Sequence, residues 1–316
     1  MRIGFYTNYT PQIAEFAERI GFRSLELSAW PHSSLNPDKV QKSAIDALRK
    51  DLDSRDIEIS ALGYYPNYLA ADEHEAQEAR SYLSRVIDLA GDMGVPVVAT
   101  FAGRNPDLSV EDNLPAFKEV FSRFLEQAER RNVRIALENC PMMNRFTMKG
   151  ENIAFSPEIW RALFALVPSP NLGLELDPSH CVWQQIDYVK AVKDFGPRIF
   201  HVHAKDMEVR RDVLADCGIY GAALTRFAGL GHGWWRARTP GWGEIDWARF
   251  ISALVEVGYK GNLDIEHEDD VFAESTKLAS AIHEEDIVAS YGTEKRGLEL
   301  GYKTLARYVP QAGWPR

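Results

Sequence analysis

The chain has 316 residues, 45% of them hydrophobic, with three cysteines and a formal net charge of −10. The apolar share is enough for a large core and excludes a disordered chain, while the acidic balance opposes non-specific binding to nucleic acid or anionic membrane. There is no apolar run of roughly eighteen residues and the first strand starts at once, so neither a membrane span nor a signal peptide is expected and a cytoplasmic location is.

The predicted elements alternate. A strand over Arg2–Tyr6 leads to a helix with Ile13, Phe16, Ala17 and Ile20 on one face, stopped by Gly21. A strand over Ser24–Ser28 precedes a helix carrying Val40, Ala44, Ile45, Leu48 and Leu52. The third strand, Ile57–Leu62, precedes a helix with Ala79, Leu83, Val86, Ile87 and Ala90. The fourth, Val95–Thr100, tolerates Pro96 only at its start and precedes a helix with Phe117, Phe121, Phe124 and Leu125. The fifth, Val133–Leu137, exits at Glu138-Asn139 and is followed by a helix near 157–166. The sixth, Asn171–Leu176, exits at Asp177-Pro178-Ser179-His180, with a helix around 184–195. The seventh runs from Ile199 to His203, and the eighth, Gly261–Glu266, follows a helix with Trp247, Phe250, Ile251 and Leu254. Two helical segments, Phe272–Ser290 and Thr293–Tyr308, come after it.

Strict alternation implies parallel strands joined by crossover helices, and eight such units close most economically into one (β/α)8 TIM barrel spanning residues 1–316. A doubly wound sheet would place Gly-x-Gly-x-x-Gly after the first strand, where Thr7-Asn8-Tyr9-Thr10-Pro11 stands. The irregular stretch is the enlarged loop over 207–243, which reads as a lid, a binding loop or an interface.

Barrel active sites lie where the strands exit. Residues two apart in a strand share a face, so His201 and His203 point the same way. Glu138, Asp177, His203 and Glu266 stand at the exits of four successive strands and can converge on one point. A lone Glu there is more often a cap, and a lone inward His a core residue, but four in succession read as a metal site. Three carboxylates and one imidazole suit one divalent ion, Mn²⁺ first, with Mg²⁺, Co²⁺ or Zn²⁺ as alternatives. The three cysteines form no Cys-x-x-Cys pair, which argues against a disulfide framework or thiolate zinc site and for a reducing compartment; Cys140 and Cys181 read as buried thiols.

Leu137-Glu138-Asn139, Leu176-Asp177-Pro178-Ser179-His180, His201-Val202-His203-Ala204-Lys205-Asp206, Gly241-Trp242-Gly243-Glu244-Ile245-Asp246-Trp247 and Ile265-Glu266-His267-Glu268 together resemble the xylose-isomerase-like barrel superfamily of sugar phosphate isomerases and epimerases. The resemblance implies that Glu138, Asp177, His203 and Glu266 ligate the metal, that Glu138 and Glu266 also act as an acid–base pair, and that His180 contacts substrate oxygens. The chemistry agrees: a metal on a carbonyl and its neighbouring hydroxyl acidifies the adjacent C–H, and two carboxylates can remove and return a proton through an enediolate. Further substrate contacts are read at Lys205, Glu26, Arg104, Trp235 and Arg236, with Trp30 and His32 at the mouth. The chain departs from the ketose 3-epimerases at Val209, where they carry an Arg; here Arg210 and Arg211 follow.

The expected activity is a metal-dependent sugar isomerase or epimerase. The runner-up is a lyase on the same scaffold, dehydrating keto-inositols or cleaving 3-keto-glycosides or C-glycosides by β-elimination, sometimes with a small second subunit. An apurinic-site endonuclease would need extra histidines where Gly63-Tyr64-Tyr65 and Thr100-Phe101-Ala102-Gly103 stand, and a basic surface. A non-catalytic barrel is the bland alternative. The expected partners are a small-molecule sugar or keto-glycoside and a homo-oligomer or small subunit, with no nucleic acid and no membrane.

Overall fold

The structure is a computed structural model, and it describes residues 1–144, 147, 149–221, 231–269, 271–272 and 294–310. In chain order the strands are β1 (Ile3–Thr7), β2 (Ser24–Ser28), β3 (Glu58–Gly63), β4 (Val97–Thr100), β5 (Arg134–Glu138), β6 (Leu172–Leu176), β7 (Ile199–His203), β8 (Asp206–Val209), β9 (Gly231–His232), β10 (Trp235–Arg238) and β11 (Leu263–Ile265). The first seven and β11 form a closed parallel barrel, in which β11 pairs with both β7 and β1. The helices are α1 (Pro11–Ile20), α2 (Lys42–Ser54), α3 (Glu73–Met93), α4 (Val110–Arg130), α5 (Pro157–Leu166), α6 (Pro178–Trp183), α7 (Tyr188–Phe195), α8 (Arg211–Cys217), α9 (Trp247–Glu256) and α10 (Lys295–Leu305). No helix among the described residues is long and apolar enough to cross a membrane.

Local chemistry fixes these elements. Thr10 caps α1 by accepting from Ile13 N at 3.2 Å, and Gly21 ends it at φ 110°, a conformation that favours glycine. In β6, Leu172, Leu174 and Leu176 enter the core between barrel and helices, while Glu175 turns inward. Two bulges interrupt that alternation. The register shifts at Ser60 in β3 and at Phe200 in β7, so Phe200 joins Ala61, Val97, Ala99 and Ala136 inside the barrel while the next residue, His201, also faces inward.

The described part of 207–243 is not an irregular loop. Strands β8, β10 and β9 make a small antiparallel sheet, with α8 beside it. Asp206 anchors this insertion: its carboxylate accepts from Met207 N, Gly241 N, Ile245 N and Trp247 Nε1 at 2.8–3.0 Å, which explains the Gly-Trp-Gly-Glu-Ile-Asp-Trp motif. The helix expected around 184–195 is α7, which starts only at Tyr188; a separate short helix, α6, precedes it, and Gln185 at φ 58° lies in the break between them. Helix α10 matches the second C-terminal segment and packs Leu298 and Leu305 into the core; the first segment lies outside the described residues beyond Phe272.

Candidate metal centre

Glu138 ends β5, Asp177 follows β6 as the cap of α6, His203 ends β7 and Glu266 follows β11. Each offers one ligand atom, and the four atoms lie within 4.8 Å of one another. Asn139 sets two of these exits against each other: its Nδ2 donates to Asp177 O at 2.9 Å and its Oδ1 accepts from Asp177 N at 2.7 Å. Asn152 braces the same turn, donating to Glu138 O at 2.9 Å and Cys140 O at 2.6 Å.

The His203 ring has two faces. Nδ1 stands 3.4 Å from both Glu138 Oε1 and Glu266 Oε2, while Nε2 is 2.7 Å from Glu26 Oε2. A carboxylate on one ring nitrogen fixes the tautomer and leaves the other free to ligate. Glu26 also takes a hydrogen bond from Tyr65, whose hydroxyl reaches Glu175 at 2.8 Å. It is fully buried and bonded to His203, not lining the chamber where a substrate contact is expected of it.

The donor set fits a hard divalent cation. Asp177 Oδ2 and His180 Nε2 are buried without a well-aligned hydrogen bond among the described residues; they face each other at 3.4 Å. Lys205 brings its ammonium to 3.1 Å from Asp177 Oδ2 and 3.0 Å from Glu268 Oε2, and into close contact with Glu266. Burial and the Glu266 charge push the Glu138 carboxyl up, but the nearby His180 and His203 imidazoles and the Lys205 charge outweigh them and hold it at about 2. Burial opposes ionisation of Glu266 too, yet Lys205 and His203 keep its pKa below the usual carboxylate range.

His180, Lys205, Trp235, Glu138 and Glu266 share a chamber of about 270 Å³, with Glu268 beside them. Arg104 and Arg236 do not line it. Arg104 donates to Leu108 O at 3.2 Å, and Arg236 pairs with Glu208 at 2.9 Å. Arg211, near the departure at Val209, is exposed and paired with Glu244. Trp30 and His32 stack on each other away from the chamber, at 6.3 Å.

Beneath the centre lies a second charged layer, absent from the site expected on sequence grounds. His201 Nδ1 is 2.7 Å from Glu175 and its Nε2 is 2.9 Å from Asp264, which Ser60 also contacts. Glu175 and Asp264 stand two residues before Asp177 and Glu266, so the strand period held the signal. Burial, reinforced by the Glu26 charge, raises the Glu175 carboxyl to about 7. Burial works against protonation of His201, but hydrogen bonds to Asp264 and Glu175 lift it to about 10.

Both pKa values exceed their unfolded counterparts, so both groups bind protons more tightly in the folded state. The Glu175 contribution is present below about pH 4.5 and lost towards 7; that of His201 is present below about 6.5 and lost towards 10. In EDTA the melting temperature should therefore fall as pH rises from about 6.5 to 10, by at least about 5 °C. In the His201→Asn variant that slope should flatten; an unchanged slope would place the titrating group elsewhere.

The structure is a closed α/β barrel whose last four strand exits bring three carboxylates and an imidazole together in a cluster that could bind a metal. The chain belongs to the xylose isomerase-like TIM barrel family, whose model matches residues 14–288. It is 27% identical over 288 residues to the uncharacterized protein YfiH of Bacillus subtilis, covering 80% of this chain and 87% of that one. Its fold is similar to that of a D-psicose 3-epimerase solved with D-fructose (TM-score 0.69, 14% identity, 98% of this chain and 99% of that one). It is also similar to the probable 3-DHS dehydratase AsbF from Bacillus anthracis (0.69, 16%, 97% and 99%) and to the IOLI protein with a bound zinc atom (0.66, 19%, 98% and 100%).

Proposed function

We propose that the protein is a cytoplasmic, divalent-metal-dependent sugar isomerase or epimerase that abstracts a proton alpha to a carbonyl. The observation that carries this is the convergence of Glu138, Asp177, His203 Nδ1 and Glu266, of which Glu138 and Glu266 line a chamber that also holds His180 and Lys205. Those four would hold the ion, Mn²⁺ first, and when bound it would supply Lewis acidity beside a substrate carbonyl.

The rest of the chemistry belongs to the chain. Glu138, held ionised by His180, His203 and Lys205, can accept the proton from the carbon next to the carbonyl. Glu266 is the second carboxylate of the pair; ionised at rest, it can return a proton only after taking one from the Lys205 ammonium it touches, and exchange with solvent then resets Glu138 and Lys205. His180 is placed to hold a substrate oxygen: its Nε2 has no well-aligned partner, and its Nδ1 is 3.4 Å from Trp183 Nε1. Glu26 positions His203. A second reading, the lyase, shares the abstraction and differs in expelling a group beta to the carbonyl. The Lys205 ammonium, in the same chamber, favours it as a donor to a departing oxygen.

The test is solvent deuterium exchange. Metal-stripped protein reloaded with Mn²⁺ is offered ketoses, keto-inositols and 3-keto-glucosides in D₂O, with products read by NMR. Deuterium should enter a carbon next to the carbonyl, and Glu138→Gln or Glu266→Gln should slow that by ~10²–10⁴-fold. Stereochemical change marks the epimerase and loss of a hydroxyl or aglycone the lyase; Mn²⁺ binding without exchange on any substrate would point to a non-catalytic barrel.

A further inference from the structure

The chamber does not end at its own walls. A groove of about 690 Å³ abuts it, and Phe101 and Met142 line both. Beyond them the groove is walled by Trp30, Tyr64 and Tyr65, whose rings pack edge to face or tilted: Trp30 on Tyr64 at 4.7 Å and Tyr65 on Phe101 at 5.2 Å. Met142 is 42% exposed although apolar, and its φ of 45° lies in the left-handed region that a long side chain rarely adopts. Strain of this kind concentrates at ligand clamps, and here it sits on the threshold between the two spaces.

We infer that the substrate is bipartite: a polar ring reacts in the chamber, and a neutral aromatic appendage passes Phe101 and Met142 into the aromatic groove. This rests on the carbohydrate reading above and adds a second recognition element to it. The chamber alone falls short of the ~300–1,000 Å³ usual for a small-molecule pocket, whereas chamber and groove together lie within it. Ring walls of this kind hold a planar apolar group by offset or edge contacts. The lining charges oppose an anion: Asp38, Glu75, Glu78 and Glu151 line the groove, and Arg85, which also lines it, is paired with Asp38 at 2.6 Å. A phosphorylated appendage would meet net negative charge there.

The experiment compares matched methyl and phenyl β-glycosides of glucose, galactose and xylose, with phenol alone, by calorimetry on the full-length Mn²⁺-loaded protein. For at least one sugar the phenyl member should bind about tenfold tighter than the methyl member. Met142→Gly, which relieves the backbone strain while removing the apolar threshold, should erase most of that advantage, and Trp30→Ala should do the same from the groove side. Equal binding of methyl and phenyl members overturns the bipartite substrate and leaves the carbohydrate reading standing. Phenol binding as tightly as the best phenyl glycoside keeps the groove as an aromatic site and overturns the carbohydrate part. No binding of any member overturns both. An advantage that survives both variants also overturns the assignment of the groove.

Discussion

The Asp177→Asn variant should fold like the parent and lose the metal. Asp177 has two separable duties. Its Oδ1 caps α6 by accepting from Ser179 N at 2.8 Å, a bond that an Asn carbonyl can also accept. Its Oδ2 is the oxygen without a well-aligned hydrogen bond, and it is the one turned towards His180 and Lys205. Losing a group that only orients a ligand typically costs ~10–100-fold in metal affinity, so losing a ligand should cost more than about 100-fold. In thermal melts, an ion at about 100 times its Kd should stabilise the parent by ~2.7 kcal/mol, and this increment should vanish in Asp177→Asn. Asp177→Ala should lose it too and, in addition, about 1 kcal/mol of metal-free stability with the cap. A parent-like Mn²⁺ shift in Asp177→Asn would remove Asp177 from the ligand set. That would leave three donors and an open side to the site.

The four residues that converge were legible because each sits at the exit of a buried parallel strand, where neither apolar packing nor a hairpin turn calls for a carboxylate. The strand period also contained the lower layer, since Glu175, His201 and Asp264 lie two residues below Asp177, His203 and Glu266. That layer departs from the branched apolar filling usual inside such barrels, and an ordinary core expectation hides it. The bulges at Ser60 and Phe200 were not legible: an inserted residue breaks the period locally and leaves no composition cue. Long-range pairing was hidden for a similar reason. Arg104 and Arg236 have the charge of an anion clamp, but Arg236 is taken up by Glu208 and Arg104 by a carbonyl four residues on, which only the fold reveals. The same holds for the 207–243 insertion, whose sheet depends on Asp206 drawing in four donors from both sides.

The second large effect is expected at Lys205. Its side chain is 3% exposed and its ammonium touches Asp177, Glu266 and Glu268, with Glu138 close enough to feel its charge. Burial disfavours the charged amine, yet the carboxylates around it raise its pKa well above the ordinary lysine value, so it stays a cation. In the metal-free protein Lys205 thus offsets negative charge that a divalent ion would also offset. Lys205→Met keeps the apolar stem and removes the ammonium, leaving those carboxylates facing one another. Removing one partner of a buried ion pair costs ~3–5 kcal/mol, so the metal-free variant should melt well below the parent. Mn²⁺ should then recover more stability in the variant than in the parent, because the ion no longer competes with an ammonium for Asp177 and Glu266, and its affinity should rise. Deuterium exchange separates the two roles of the residue. If Lys205 only balances charge, the metal-loaded variant should exchange substrate deuterium at the parental rate; if it also donates to a departing oxygen, exchange should persist while elimination fails. A metal-free variant as stable as the parent would mean that the carboxylates take up protons once the lysine charge is gone, and the stabilising role assigned to Lys205 in the metal-free site would have to be abandoned.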